Sequence, residues 1–248
     1  MNLVIDIGNS RIKIAVFDGD AQVFLHEEEK PDPEILQQLI ARYSIDSLIY
    51  TSVRADEYFD FSRFSSGIRV FKFSHSLKLP IQNRYKTPHT LGLDRLAGVI
   101  GAHQQFPGQA ALVIDSGTCI TFDLVDDKGI YQGGSIAPGL QMRLRAMHQF
   151  TGKLPEITLD AFFDETKSYG ADTREAMLSG AVNGILYEIE GYIRFFQGKY
   201  PDLKVILCGG DASFFDTRLK NSIFALHIML QPHLVLAGLN TVVNDQHD

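Results

Sequence analysis

The chain has 248 residues, of which 45% are hydrophobic and 21% charged, with a formal net charge of −7. This length supports one large core or two of half the size, and no apolar run approaches the roughly 18 residues that a membrane span needs. No block of lysines and arginines stands out, which argues against a nucleic-acid surface; two distant cysteines, Cys119 and Cys208, argue against a disulfide framework or a zinc site and read as small buried strand residues.

In chain order, Met-Asn runs at once into a strand pattern carrying Asp6, with no basic or apolar leader region, so no signal peptide is read and a cytoplasmic location is expected. Asn2–Ile7, Ile12–Phe17 and Val23–Glu29 read as three strands, with Asp18-Gly19 as the hairpin turn between the second and third. Pro31 ends the sheet pattern, and Ile35, Leu36, Leu39 and Ile40 fall at helical spacing over Glu34–Tyr43. Ser47–Val53 and Ile68–Phe73 follow as strands with a short helix between them. Residues 74–89 are irregular, and a helix opens near Gly92-Leu93 and runs to about Gln105.

Pro107-Gly108 then punctuates the chain, and the opening pattern returns. Ala111–Asp115, Cys119–Val125 and Ile130–Ile136 read as three strands, with Asp126–Gly129 as the second turn and Gly139–Gln149 as a helix. Thr151 to Gly170 is polar and reads as loop. Thr173–Tyr200 carries apolar residues in helical register, and Gly180 and Gly184 on it permit close approach of another backbone. Lys204–Cys208 is a strand ending in Gly209-Gly210-Asp211, and a last apolar helix spans about Pro232–Val243. Repetition on this scale is a duplication of lobes, since solenoid periods are much shorter. The expectation is two α/β lobes, residues 1–108 and 109–248, with a ligand cleft between them.

The repeat is close in sequence: "VIDIGNSRIKIAVFDGD" from Val4 and "VIDSGTCITFDLVDDKG" from Val113. A strand that ends in Asp-x-Gly and turns straight back lets Gly8 and Gly117 bring the backbone close to a ligand. Turn amides, helped by Asn9, Ser10 or Thr118, can cradle phosphate oxygens. An aspartate repels phosphate, but it can hold a cation that bridges to it, and Lys13 can supply the positive charge that phosphoryl transfer needs. One Asp-x-Gly is an ordinary hairpin; two at equivalent places point to a nucleotide site. Gly209-Gly210-Asp211 is a third glycine turn, against which an adenine or ribose could lie. His75, His89 and His103 show no metal spacing and read as structural or surface residues.

The two hairpins resemble the phosphate motifs of the acetate and sugar kinase, heat-shock protein and actin superfamily. Within it, the ordered motifs resemble the type III pantothenate kinase family over nearly the whole chain. Asp6, Ile7, Gly8, Asn9, Ser10, Arg11, Ile12 and Lys13 resemble its first phosphate loop, with Ser10 where the family often has Thr. Gly92, Leu93, Asp94 and Arg95 resemble its Gly-x-Asp-Arg signature. Asp115-Ser116-Gly117-Thr118, with Thr121 and Asp123, resembles its second loop, and Gly133-Gly134-x-Ile136-x-Pro138-Gly139 and the Asp172-Thr173 helix start also fit.

The resemblance implies duplicated ribonuclease H-like lobes, ATP-dependent phosphorylation of pantothenate at the entry to coenzyme A synthesis, Mg²⁺, a monovalent cation such as K⁺ or NH₄⁺, and a homodimer with no nucleic-acid or membrane partner. It makes Asp94 the catalytic base, and a carboxylate positioned to accept a hydroxyl proton suits that chemistry; an acidic residue in a first helical turn also complements the helix dipole. It makes residues 6–13 and Thr118 the ATP contacts, and Tyr85, Gly92, Leu93, Asp94, Arg95 and Thr173 the substrate contacts, Thr173 from the other subunit. Tyr85 reads equally as a half-buried loop aromatic, Thr173 as a helix cap, and the role of Arg95 stays open. Asp115 matches the monovalent-cation ligand. The rivals are another kinase or phosphatase of the superfamily, acting on a sugar, acetate or polyphosphate, and a non-catalytic regulatory protein of the same fold.

Overall fold

The computed structural model describes residues 1–8, 10–54, 58–64, 67–158, 168–220 and 222–246. In chain order these form β1 (Asn2–Ile7), β2 (Ile12–Asp18), β3 (Ala21–Glu28), α1 (Ile35–Arg42), β4 (Ser47–Ser52), β5 (Arg69–Lys72), β6 (Gln82–Asn83), α2 (Leu93–Gln105), β7 (Ala111–Ser116), β8 (Cys119–Val125), β9 (Ile130–Pro138), α3 (Leu140–Gln149), α4 (Thr173–Gln197), β10 (Lys204–Cys208), α5 (Ala212–Leu219), β11 (Ile228–Leu230) and α6 (Leu234–Asp245). The short helix expected between β4 and β5 is a 3₁₀ turn at Phe61–Phe64. Sequence reading missed β6, α5 and β11. Of the loop expected over 151–170, residues 159–167 lie outside the described residues.

The chain divides into two compact units: Met1–Pro107 with Gly129–Tyr131 and His233–Asp248, and Gly108–Lys128 with Gln132–Pro232. The last helix, grouped with the second lobe in the sequence reading, therefore packs in the first. Its reason is a buried amide network. Asn2 Nδ2 donates to Asn240 Oδ1 (2.9 Å) and Asn244 Oδ1 (2.6 Å), and Asn240 Nδ2 donates to the Gly19 carbonyl (2.9 Å). Unpaired amides there would carry the full cost of desolvation, so the network fixes α6 on β1 and on the β2–β3 turn.

In the first unit the sheet order is β3-β2-β1-β4-β5, with β1–β2 and β2–β3 antiparallel and β1–β4 and β4–β5 parallel. Alternation along β1 sets its two faces. Leu3, Ile5 and Ile7 join Leu36 and Leu39 of α1 in one core. Asn2 and its alternates Val4 and Asp6 share the other face, which α6 covers. Helix α2 packs on α6 through glycines. A Cβ on Gly238 would run into the Ala97 carbonyl, and one on Gly101 into the Leu234 carbonyl. Strand β6 pairs in parallel with the first residues of β9, Gln82 with Ile130 and Asn83 with Tyr131.

In the second unit the order β11-β10-β7-β8-β9 repeats that of the first strand for strand, with β7–β8 antiparallel and β7–β10 and β10–β11 parallel. Leu112 and Ile114 of β7 pack in a core with Leu178, Ile185, Ile189 and Ile193 of α4. Among the described residues nothing lies within 4 Å of a Cβ at Gly180 and only the Arg143 guanidinium does at Gly184, so the close backbone contacts within this chain are those at Gly101 and Gly238. No helix of the described residues is long and apolar enough to cross a membrane.

The Gly238 contact is backbone against backbone, so it has no flexible side chain to yield. Gly238→Ala is expected to force α2 from α6 and destabilise the protein by about 1–3 kcal/mol. Gly152→Ala, with nothing within 4 Å, is the control. Urea unfolding of both variants measures the difference, and an unchanged Gly238→Ala midpoint would contradict the packing.

Candidate active site

Both Asp-x-Gly hairpins close as the sequence pattern requires. In the first, Gly8 N donates to Arg11 O (3.0 Å), and Asp6 and Lys13 are direct partners in the β1–β2 ladder. Ile7 and Ile12 are buried beneath the turn, while Ser10 and Arg11 are exposed. Asn9 lies outside the described residues. Reading across neighbouring strands from β3 to β4 gives one row: Glu27, Lys13, Asp6, Thr51. Thr51 Oγ1 is buried with no hydrogen-bond partner among the described residues. Two residues that the sequence reading passed over brace this hairpin. Arg54 Nε donates to the Gly8 carbonyl at 2.8 Å. Glu27 sits 3.2 Å from His233 Nδ1 and 4.0 Å from Arg11 Nη1.

His233 precedes α6 and is half-buried. Burial holds its imidazole below the usual histidine range; the Glu27 carboxylate pulls the other way, and the Lys13 ammonium adds to the lowering.

The second hairpin repeats the backbone with different chemistry. Gly117 N donates to Cys119 O (2.9 Å). Thr118 is exposed at the tip, and its carbonyl accepts from Gly139 N (3.1 Å), which ties the turn to the start of α3. The ladder partner of Asp115 is Thr121, whose Oγ1 is also buried without a hydrogen-bond partner among the described residues. Gly209, with φ +94, packs where a Cβ would run into the Asp115 carboxylate and the Ser116 carbonyl. The close approach at this glycine turn is therefore to β7 of the same lobe. Gly210 faces open space. Asp211 N donates to Ser116 O (2.8 Å), and burial raises the Asp211 carboxyl above its usual range.

Gly92 precedes α2, and Asp94 lies in the first turn with Oδ1 accepting from Arg95 N (2.8 Å). Leu93 is half-buried beside it. Arg95 is buried, and its guanidinium carbon lies 5.8 Å from the Tyr85 ring centroid. Tyr85 stacks in turn on the fully buried Tyr131, 6.1 Å between centroids at 12°. Backbone bonds hold the loop there: Gln82 N to Gly129 O (2.9 Å), Arg84 N to Tyr131 O (3.2 Å), and Tyr85 N to Asn83 Oδ1 (2.9 Å). Tyr131 is the residue that sequence reading could not rank, because nothing local marks a strand tyrosine as the support of a loop residue as distant in sequence as Tyr85.

Thr173 opens α4 and is exposed, but it is not the cap. The N-cap is Asp172, whose carboxylate accepts from Glu175 N (2.8 Å), while Glu175 reaches back to Ala171 N (2.9 Å). The described residues gather no cluster of three or more histidine, cysteine or acidic side chains.

Duplicated lobes, each with a tight Asp-x-Gly hairpin between its first two strands, define a two-lobe ribonuclease H-like fold. The chain resembles the solved structures of a conserved candidate Baf family transcriptional activator from Campylobacter jejuni (TM-score 0.61, 19% identity, 99% of this chain and 98% of that one) and of the inorganic polyphosphate/ATP-glucomannokinase of Arthrobacter sp. strain KM (TM-score 0.53, 15% identity, 99% and 98%). Residues 2–195 match the model of the type III pantothenate kinase family. A type III pantothenate kinase of Bacteroides fragilis (strain YCH46) is 42% identical over 245 residues, covering 98% of each chain. The chain belongs to the type III pantothenate kinase family.

The His233 shift has a stability consequence. A histidine whose folded pKa is depressed binds fewer protons folded than unfolded, so stability is full above its unfolded pKa of about 6.5 and is lost as pH falls below it. Urea unfolding at pH 7.5 and 5.5 is expected to show a smaller acid loss for His233→Asn than for the wild type. Equal losses would contradict the desolvation of this imidazole.

Proposed function

We propose that the chain phosphorylates pantothenate from ATP, the first step of coenzyme A synthesis, with Asp94 as the base. The observation that carries this reading is membership of the type III pantothenate kinase family together with the Gly-Leu-Asp-Arg start of α2. In this reading the Asp94 carboxylate takes the proton of the substrate's primary hydroxyl as its oxygen attacks the γ-phosphorus. The new O–P bond forms, the bond to the β,γ-bridging oxygen breaks, and ADP leaves with that electron pair. Arg95 and Tyr85 form one stack beside Asp94 in sequence, and a guanidinium there suits the pantothenate carboxylate.

The first hairpin, residues 6–13, receives the phosphates with Lys13 as the cationic side chain, and Thr118 contacts ATP from the second. Gly210, open to solvent, suits the adenosine side. Carboxylates, hydroxyls and carbonyls are the donors that hard cations prefer. Asp6 is matched across its ladder by Lys13, whereas Asp115 is matched by Thr121. That difference favours an inorganic cation, K⁺ or NH₄⁺, at Asp115, with Mg²⁺ reserved for the phosphates, where it neutralises charge on the transferring group.

The chain acts in the cytoplasm as a homodimer. The support is the outward stripe of α4, Gly180, Gly184, Tyr187, Gly191 and Phe195, on which Tyr187 is 65% and Phe195 58% exposed. Thr173, exposed at the start of the same helix, reaches the neighbour's substrate in such a dimer.

Two outcomes are expected. Asp94→Asn should lower turnover about 10²–10⁴-fold with an unchanged fold, and Thr173→Val should weaken pantothenate use. At a pantothenate concentration where each homodimer is inactive, mixing the two chains under subunit exchange puts both defects in one site and neither in the other, so activity partly returns. Exchange without recovery would return Thr173 to its own chain's site, and near-normal turnover by Asp94→Asn would remove the base assignment. Second, replacing K⁺ or NH₄⁺ by Na⁺ at fixed Mg²⁺ should slow the reaction steeply; equal rates in the three salts would argue against Asp115 as a cation ligand.

A further inference from the structure

We propose that Arg54 is a positioning residue for the nucleotide, holding the first phosphate hairpin in its binding shape through the Gly8 carbonyl. This rests on the reading of that hairpin as an ATP-phosphate site. Strand β4 runs parallel to β1, with Thr51 beside Asp6 and Ser52 beside Ile7. The pairing continues one step past both strands, from Val53 N to Ile7 O (3.1 Å). The Ser52 hydroxyl then closes a compact turn, accepting from Arg54 N (3.1 Å) and donating to Arg54 O (3.3 Å). This turn fixes where the Arg54 side chain leaves the sheet, and its Nε reaches the Gly8 oxygen at 2.8 Å.

A turn that receives phosphate must present N–H groups and keep its carbonyl oxygens away, because a carbonyl facing phosphate oxygens repels them. A charge-assisted bond from a guanidinium takes one such oxygen out of play and places positive charge at the base of the turn. The second lobe supplies an internal control. Its register pairs Cys208 with Asp115 as Thr51 pairs with Asp6, and just beyond the strand Asp211 N, bonded to Ser116 O, takes the place that Val53 N, bonded to Ile7 O, has in the first. The residue that follows the strand there is thus an acid held by its backbone. Across the hairpins Lys13 faces Asp6, whereas Thr121 faces Asp115. The first turn thus carries Lys13 and Arg54, whereas the second carries Thr121 and Asp211, which is the asymmetry expected if the first takes the greater share of the anionic groups.

The test uses the full chain with Arg54→Ala and Arg54→Lys. ATP affinity by calorimetry, both KM values and the melting temperature are measured. Arg54→Ala should bind ATP about ten- to a hundredfold more weakly, the range expected for loss of one charge-assisted bond, with the pantothenate KM within about twofold of wild type, in keeping with loss of an ATP contact only. Arg54→Lys should fall between, since an ammonium keeps the charge without the fork. Low-millimolar guanidinium should restore ATP binding to Arg54→Ala and leave the wild type unaffected. ATP affinity unchanged in Arg54→Ala would overturn the inference. So would a general loss of stability and of both KM values that neither guanidinium nor lysine repairs, which is the behaviour of a merely structural arginine. A wild type that binds ATP in an Arg54-dependent way yet does not consume it with pantothenate would overturn the functional reading and leave this inference standing; a wild type that binds no ATP would overturn both.

Discussion

Everything at the candidate site depends on one constraint of the proposed function, that a carboxylate must sit beside a turn proposed to receive phosphate without repelling it. In the first lobe the β1–β2 ladder meets it by setting Lys13 directly across from Asp6. The ladder's apolar flank, Ile5, Ile7, Ile12 and Ile14, is fully or almost fully buried. At about 1.5–3 kcal/mol for each such side chain removed from water, that flank holds the charged row in place far more firmly than attraction between exposed charges could. The hydrophobic pattern of the hairpin is thus what makes its polar chemistry dependable.

Helix α6 extends the same logic. It runs over the face of the sheet that carries Asp6, tied by Asn240 and Asn244 to Asn2 at one end of β1 and bringing His233 to Glu27 near the other. Its tight seat on α2, with Gly101 and Gly238 permitting backbone contact, joins it to the helix that carries Asp94 in its first turn. The proposed base and the first phosphate turn are therefore referred to one packed unit, built from the two ends of the chain.

How much of this the residues announce depends on the range of the interaction. The hairpins were legible because a strand, an Asp-x-Gly turn and a returning strand are all local, and so was the start of α2. What escaped was non-local or short. Strand β6 is two polar residues whose only reason to be a strand is its partner Ile130–Tyr131. Helix α6 was assigned to the wrong lobe because adjacency in sequence stood in for contacts made by three asparagines. Gly101 and Gly238 make the close helix contact within the chain without standing out in the sequence as Gly180 and Gly184 do, because only a packed partner marks such a glycine. Helix α5 was a true oversight, since Ala212, Phe215 and Leu219 mark a buried stripe at helical spacing. The cap of α4 went to Asp172, one position before the Thr173 that family likeness drew attention to.

The duplication itself explains why two similar sequences need not share a task. Matching the lobes strand for strand aligns Asp6 with Asp115, Lys13 with Thr121 and Thr51 with Cys208. Leu3, Val4, Ile5, Ile12 and Ile14 meet apolar residues again in Leu112, Val113, Ile114, Ile120 and Phe122, because a sheet with the same order needs the same buried faces. The polar positions need not match, since each answers to whatever lies beyond the turn. Substituting Lys by Thr changes the local charge without disturbing the ladder. A half-buried acid such as Asp211, held above its usual range by desolvation, would ionise more readily beside a bound cation. Two copies of one hairpin can in this way become complementary, one shaped by anions and the other by a cation, while the backbone that presents them stays the same.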